Sequence, residues 1–170
     1  MEVRDDRNGD RHVVLLRHGD AERRAPNGRD EDRRLTAEGS AEMKEIAAGL
    51  ARAFPDADAI FASPFTRAQE TAARVAGSYG SGLTVETTDA LVPGARSEEL
   101  RRLLAGSPAR RMILVGHEPS VSANTLALIG GPGASLEFRT GGACCVRLLP
   151  GGDGVLQWML TSDLLRGLRG

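Results

Sequence analysis

The sequence predicts an α/β fold of three layers, in which helices cover both faces of a mostly parallel sheet that carries an antiparallel hairpin at one edge. Short apolar runs typical of buried strands occur at 13–16, 59–62 and 112–115. Segments with helical periodicity lie between these runs, and such alternation favours parallel pairing of the strands. Late in the chain, strand candidates at 143–149 and 155–160 flank a glycine-rich turn, which predicts the hairpin.

Length and composition indicate one ordinary globular domain. The chain has 170 residues, of which 41% are hydrophobic and 26% are charged. Residues 1–11 are almost wholly polar and are expected to form a flexible tail, with a single domain from 12 to 170. The formal net charge of −1 offers no general attraction for nucleic acid or for an anionic membrane, so neither is expected as a partner.

The compartment is expected to be the cytoplasm. The polar start of the chain has no signal-peptide pattern, and no apolar run approaches the roughly 18 residues that a transmembrane helix needs. The two cysteines, Cys144 and Cys145, are adjacent within an apolar run, which makes a disulfide between them an unconvincing interpretation. A reducing environment suits such a chain.

The first helix is delimited by capping signals. After the strand at 13–16 comes a charged loop, 20–34, which contains five acids and five arginines. Thr36 is expected to cap the helix that follows, and Pro55 marks its exit. Its inward positions recur at helical spacing, and they are Met43, Ile46, Ala47, Leu50 and Phe54.

The second helix is expected to begin at a Ser-Pro pair directly after a strand. Ser63 suits the N-cap and Pro64 the first turn. Its inward stripe is Phe65, Ala68, Ala72, Val75 and Tyr79. The later elements expected are a weak strand at 83–85, a helix capped by Ser97 that closes near Gly106, and a helix after Pro119 that runs to about Ile129.

Polar side chains stand where three of the apolar runs end. Arg17 and His18 follow the first run. Arg67 lies one turn beyond the second run, and His117 follows the third. Because the carboxyl ends of parallel strands share one edge of the sheet, where such folds bind their ligands, we expect these side chains to converge.

Each of these residues alone has an ordinary structural explanation, but their coincidence in a chain with three histidines points to phosphoryl transfer. Arginines make bidentate contacts with phosphate oxygens, one imidazole can attack phosphorus, and a second can donate a hydrogen bond to the developing charge. Arg67 stands in the first turn of its helix, where an anion is favoured over a lone cation. A shared phosphoryl group would resolve that conflict.

Four segments, in order between about residue 12 and residue 130, resemble the motifs of the histidine phosphatase superfamily, which is also called phosphoglycerate mutase-like. They are 15–22 with its Arg-His-Gly, 34–39, 63–72 with Ser-Pro-x-x-Arg-Ala-x-x-Thr-Ala, and 115–119. The short chain, Asp20-Ala21 after Arg-His-Gly, and Ser-Pro-Phe before Thr66-Arg67 are most similar to the SixA branch of bacterial phosphohistidine phosphatases.

The resemblance implies a phosphoglycerate mutase-like fold and a role for each residue of the site. His18 would be the nucleophile that becomes phosphohistidine. Arg17 and Arg67 would clamp the phosphoryl oxygens. His117 would complete the pocket, and Gly19 is included among the substrate-binding residues. The site would need no metal and no other cofactor.

One departure from the wider family concerns the proton donor. Many relatives carry a glutamate acid after a Leu-x step between the second and third helices, whereas Pro93 stands where that acid would fall here. An alcohol leaving group needs a proton during P–O cleavage, whereas the imidazole of a phosphohistidine leaves more readily. This favours phosphoramidate substrates. The acids that remain as possible proton donors are Asp20, Glu22, Asp89 and Glu118.

The expected function is therefore a metal-independent phosphatase that acts through His18 on phosphohistidine carried by a protein. One alternative is a phosphatase of a small phosphate ester, with the 20–34 loop as a specificity lid. A second is a non-catalytic adaptor that binds phosphoproteins, although binding alone needs no nucleophilic imidazole. A mutase would require both the missing acid and a retained phosphoryl donor. The sequence leaves the oligomeric state open.

Overall fold

The computed structural model describes residues 10–80, 82–131 and 133–168. No helix in these ranges is both long enough and apolar enough to cross a membrane. Two 3₁₀ turns, at Asp30–Asp32 and Asp89–Leu91, supplement the main elements. In chain order these elements are β1 (Arg11–Arg17), α1 (Ala37–Ala53), β2 (Ala59–Ala62), α2 (Thr66–Ser78), β3 (Val85–Thr87), α3 (Ser97–Gly106), β4 (Arg111–Gly116), α4 (Ser120–Ile129), β5 (Ala143–Leu148), β6 (Gly154–Leu160) and α5 (Ser162–Gly167).

The strands form one sheet in the order β3-β2-β4-β1-β5-β6. β3, β2, β4 and β1 pair in parallel, whereas β5 is antiparallel to both β1 and β6. Arg17 lies opposite Gly116, and Ala62 lies opposite Val115, so β1, β2 and β4 end at the same edge. The predicted mostly parallel sheet with an antiparallel edge hairpin is confirmed.

The hydrophobic core has two parts, one on each face of the sheet. Val14 and Leu16 belong to the part that includes residues of α1, α2 and α5. Val13 and Leu15 point to the opposite face, where residues of α3 and α4 complete the second part. Fully burying one such side chain stabilises the fold by roughly 1.5–3 kcal/mol. The predicted three-layer arrangement follows from this alternation and is confirmed.

The starts of α2, β3 and α3 differ from the prediction, and β5 and β6 differ from it by one residue each. Ser63 does not cap α2, which begins at Thr66 with Phe65 as its N-cap, because the Ser63 hydroxyl bonds to His117. β3 occupies Val85–Thr87 rather than 83–85, since its pairing partner is β2 and Ile60 lies opposite Val85. α3 includes Ser97, and its N-cap is Arg96, which makes no capping bond through its side chain.

The short helix α5 was not predicted. Its six residues bury a single side chain, that of Leu165, so the sequence shows no helical period there. α5 packs closely on α1 because Gly49 lacks a side chain: a Cβ at this position would overlap the Leu165 carbonyl. The close contact depends on glycine at residue 49.

Most of the predicted tail, residues 1–9, lies outside the described part of the chain. Arg11, the last residue of that predicted tail, belongs to β1 instead. Its guanidinium donates to the carbonyl oxygens of Leu104, Ser107 and Ala109, at distances of 2.7, 2.9 and 3.0 Å. These bonds fix the start of the strand against the end of α3.

Candidate active site

The four residues predicted from the strand ends lie together at the carboxyl edge of the sheet. Arg17 ends β1 and His18 follows it, while His117 follows β4. Arg67 is the second residue of α2, directly beyond β2. The ring centroids of His18 and His117 are 4.9 Å apart, and Arg67 Nε lies 3.3 Å from His18 Nε2. Parallel pairing of β1 with β4 and of β4 with β2 produces this convergence.

The orientation of His18 leaves one ring nitrogen available as a nucleophile. Nδ1 lies 2.7 Å from the carbonyl oxygen of Gly19. A carbonyl oxygen can only accept, so Nδ1 carries the proton and Nε2 keeps its lone pair. Arg67 Nε–H donates toward that lone pair. The reactive nitrogen therefore faces a cationic hydrogen-bond donor.

Gly19, a predicted substrate-binding residue, makes contacts within the protein. Its amide donates to Thr71 Oγ1 at 3.1 Å, and its carbonyl accepts from His18, so its polar groups are engaged within the protein. A Cβ at this position would overlap the side chain of Met43. The Thr71 hydroxyl in turn donates to the Arg67 carbonyl at 2.7 Å. Gly19 thus positions His18 and joins it to α2.

Both imidazoles of the site are neutral near pH 7. Burial is the main cause that lowers the pKa of His18 to about 4, and the positive charges of Arg67 and Arg17 act in the same direction. Burial also lowers the pKa of His117 to about 3, with a further contribution from His18. A neutral His18 is a nucleophile, whereas an imidazolium is not.

His117 is held by Ser63, whose hydroxyl oxygen lies 2.8 Å from His117 Nε2. The Phe65 amide donates to the same oxygen at 3.3 Å, and the Ser63 hydroxyl can donate its own proton to Nε2. The proton of the neutral imidazole is then on Nδ1, which is buried and has no partner within the described residues. With Ser63 as the donor, the groups left for a ligand are the Nε2 lone pair of His18 and the Nδ1–H of His117.

The two arginines of the site provide further N–H donors for a ligand. Arg17 Nη1 donates to the carbonyl of Phe138 at 2.5 Å, and its buried Nε has no partner within the described residues. Arg67 is only 4% exposed. The orphaned Arg17 donor is costly unless a ligand that accepts hydrogen bonds shares the site. Together with two neutral imidazoles, the two arginines can bind a tetrahedral oxyanion such as a phosphoryl group.

Three of the four possible proton donors are engaged elsewhere. Asp20 accepts from the Thr36 hydroxyl at 3.1 Å, and Glu22 accepts from the Arg34 amide at 3.2 Å. The fourth, Asp89, is exposed at the start of the 3₁₀ turn after β3. These bonds tie Asp20 and Glu22 to the residues that lead into α1.

Glu118 follows His117 in the chain but supports the structure around it. Its carboxylate accepts from the hydroxyl and amide of Ser122, at 2.6 and 3.2 Å, and from the amide of Phe138 at 2.7 Å. The peptide carbonyl of Phe138 is the acceptor for Arg17. Glu118 therefore ties α4 to the segment that holds Arg17.

Asp30 belongs to the site, although the sequence did not single it out. Its backbone oxygen accepts from Arg67 Nη1 at 2.7 Å, and its carboxylate accepts from Arg67 Nη2 at 2.9 Å. The sequence shows three consecutive acids in the 20–34 loop, and nothing in the pattern distinguishes the one that reaches Arg67. In the described part of the chain, no group of three or more histidine, cysteine, aspartate or glutamate side chains is arranged to hold a metal ion.

Comparisons with known proteins agree with this architecture. The model of the histidine phosphatase superfamily (branch 1) matches residues 13–92. No curated protein matches the sequence. The chain is similar to the protein histidine phosphatase SixA complexed with tungstate, with a TM-score of 0.80 and 25% identity over 89% of this chain and 97% of that one.

Two further solved structures are similar over most of their length. The putative phosphohistidine phosphatase SixA from Agrobacterium tumefaciens has a TM-score of 0.74 and 30% identity, with 89% of this chain and 97% of that one covered. The putative SixA from Nakamurella multipartitia has a TM-score of 0.75 and 24% identity, with coverage of 89% and 96%. These similarities confirm the predicted phosphoglycerate mutase-like fold.

Proposed function

The chain belongs to the histidine phosphatase superfamily, and we propose that it hydrolyses phosphohistidine on a protein by passing the phosphoryl group through its own His18. The observation that carries this proposal is the state of that side chain. His18 is buried and neutral, its Nδ1–H is bonded to the Gly19 carbonyl, and its Nε2 lone pair faces Arg67. A histidine with a purely structural role has no need of such an arrangement.

In the first step, Nε2 of His18 attacks phosphorus and the bond to the leaving group breaks. Arg17 and Arg67 bind the equatorial oxygens, whose charge increases in the transition state. The Nδ1–H of His117 donates to the same group, and Ser63 keeps that proton on Nδ1. Each donor is already in place before the substrate arrives, so little reorganisation is needed.

In the second step, water attacks phosphorus and the P–N bond on His18 breaks. The oxygen of water joins the phosphoryl group, and inorganic phosphate leaves with the protons of that water. His18 returns to its neutral form with its proton still on Nδ1, bonded to Gly19. No proton has to be stored on the enzyme between turnovers.

Phosphohistidine is the substrate class that best suits a site in which most candidate proton donors are engaged in other bonds. When the second ring nitrogen of a phosphohistidine carries a proton, the departing imidazole leaves as a neutral molecule and needs no acid. An alkyl ester leaves as an alkoxide and does need one. Asp20, Glu22 and Glu118 are engaged in local bonds, and Pro93 replaces the usual acid, which supports phosphohistidine over an alcohol ester.

The partner is accordingly a phosphorylated protein in the cytoplasm. The described residues form one sheet with a core on each face, which supports the single domain proposed for 12–170.

A phosphatase of a small phosphate ester is the second candidate function. Asp89 favours it, since this acid is exposed at the turn after β3 and, among the described residues, has no side-chain bonds like those that hold Glu118.

The experiment that tests the proposal compares substrates with different leaving groups, using one preparation of the enzyme. kcat/KM is measured for a phosphohistidine-containing protein and for a panel of sugar, alkyl and aryl phosphates. We expect the phosphohistidine protein to react well ahead of sugar phosphates. A sugar or alkyl phosphate that is preferred over phosphohistidine would overturn the assignment and favour the small-ester candidate.

A further inference from the structure

Asp30 holds Arg67 through two different groups. The Asp30 backbone oxygen accepts from Nη1, and its carboxylate oxygen Oδ2 accepts from Nη2. The other carboxylate oxygen, Oδ1, accepts from Arg33 Nη1 at 2.8 Å. The Arg67 side chain is 5% exposed, whereas that of Asp30 is 56% exposed. The half-exposed carboxylate of Asp30 thus binds the buried guanidinium of Arg67.

The two bonds occupy one edge of the planar guanidinium, the edge formed by its two terminal nitrogens. The remaining edge, which includes Nε, faces Nε2 of His18 at 3.3 Å. Arginine binds a phosphoryl group by donating two parallel N–H groups from one edge. With the terminal edge held by Asp30, the Nε edge is the one presented to a phosphoryl group on His18.

Asp30 is itself held in place by the loop. Arg33 donates to Asp30 Oδ1 and also donates through Nε to the Glu22 carbonyl at 2.5 Å. The Phe65 ring packs against the Arg67 guanidinium, whose Cζ lies 5.1 Å from the ring centroid. The guanidinium is therefore fixed at its terminal edge and packed against an aromatic ring.

We propose that Asp30 is a positioning residue, which orients Arg67 so that its Nε edge meets the phosphoryl oxygens and balances its buried charge before substrate binds. This inference rests on the proposed role of Arg67 in phosphoryl binding. The opposite role, a carboxylate that competes with phosphate for Arg67, would require phosphate to displace Asp30. The Arg33 bond to Oδ1 and the backbone bond to Nη1 argue against that, since they hold Asp30 at the terminal edge of the guanidinium, away from the Nε edge that faces His18.

The test measures kcat, KM and the affinity for inorganic phosphate in Asp30→Ala and Asp30→Asn. Misplacing a catalytic group by about 1 Å costs on the order of a hundredfold in rate, so we expect Asp30→Ala to lower kcat by about tenfold to a hundredfold. Asp30→Asn keeps an oxygen acceptor at nearly the same volume and should recover part of that loss. Phosphate binding should weaken in both variants.

The matched control is Asp32→Ala, in the same 3₁₀ turn. The Asp32 carboxylate accepts from Asn27 at 2.7 Å and pairs with Arg29, so its removal should leave kcat within about twofold of the wild type. In an Arg67→Ala background, Asp30→Ala should cost less than about twofold, because the group that it positions is gone.

Three results would overturn the inference. Tighter phosphate binding in Asp30→Asn would show competition instead of positioning. Wild-type kcat in both Asp30 variants would show that Arg67 needs no such support. An equal loss with and without Arg67 would show an effect on the fold rather than on Arg67. The proposed function fails separately, if Arg67→Ala alone retains wild-type activity and phosphate affinity.

Discussion

Replacing His18 with asparagine should make the stability of the protein less sensitive to acid. In the wild type, burial holds the pKa of His18 at about 4, below its ordinary value of 6.5, so the unfolded chain binds this proton more readily than the folded one. The resulting stabilisation is fully present above pH 6.5 and is lost as the pH falls toward 4. At about 1.4 kcal/mol for each pH unit between the two values, it amounts to about 3 kcal/mol.

Between pH 7 and pH 4.5, about 2 kcal/mol of this contribution should disappear. The free energy of unfolding is measured by urea denaturation at several pH values for the wild type and for His18→Asn. Carboxylates contribute to both proteins, so the difference between the two curves reports His18 together with its effect on the pKa of His117. A difference that stays constant over this range would mean that His18 titrates near 6.5 in the folded state, and the argument for a neutral nucleophile would fail.

The remaining predictions concern rates. Arg67→Ala should lower kcat/KM by on the order of 10²–10³, whereas Arg74→Ala, which removes an exposed contact with the Ser40 hydroxyl, should not; equal activities would exclude Arg67 from the clamp. Ser63→Ala should lower kcat by about tenfold and shift the ¹⁵N NMR signals of His117 toward a mixture of tautomers, and an unchanged tautomer would contradict its role. Aryl phosphates should react far faster than alkyl phosphates, because the rate should fall steeply as the leaving-group pKa rises. Changing the four possible proton donors singly to amides should make this dependence little steeper. A flat dependence in the wild type would reveal a proton donor. A chelator should leave the rate unchanged, and a loss of activity restored by a divalent metal would contradict a metal-independent mechanism.

Much of the fold could be predicted because its central strands are buried on both faces. The run at 13–16 is wholly apolar, as expected for a strand whose two faces are both covered by helices. The runs at 59–62 and 112–115 show the same pattern. Parallel pairing then brings the strand ends to one edge, so His18 and His117 were predictable as neighbours. α5 was not predictable, since one buried leucine produces no period.

The contacts that tune the site were less accessible to sequence analysis. Ser63 has the pattern of an N-cap, yet its hydroxyl serves His117, which is 54 residues away in the chain. Asp30 reaches Arg67 across 37 residues, and its neighbours in the loop are also acidic. Local propensity describes residues near in sequence, whereas these bonds depend on how a loop folds over the finished sheet.

The most direct test of the account is to trap the enzyme during turnover and locate the phosphoryl group. After rapid quenching with a labelled substrate, the account predicts phosphate on His18 Nε2, in a linkage that is labile to acid and stable to base. His18→Ala should carry no label and should have no turnover. An acid-stable phosphate on serine, or turnover without any enzyme-bound phosphate, would contradict the central claim.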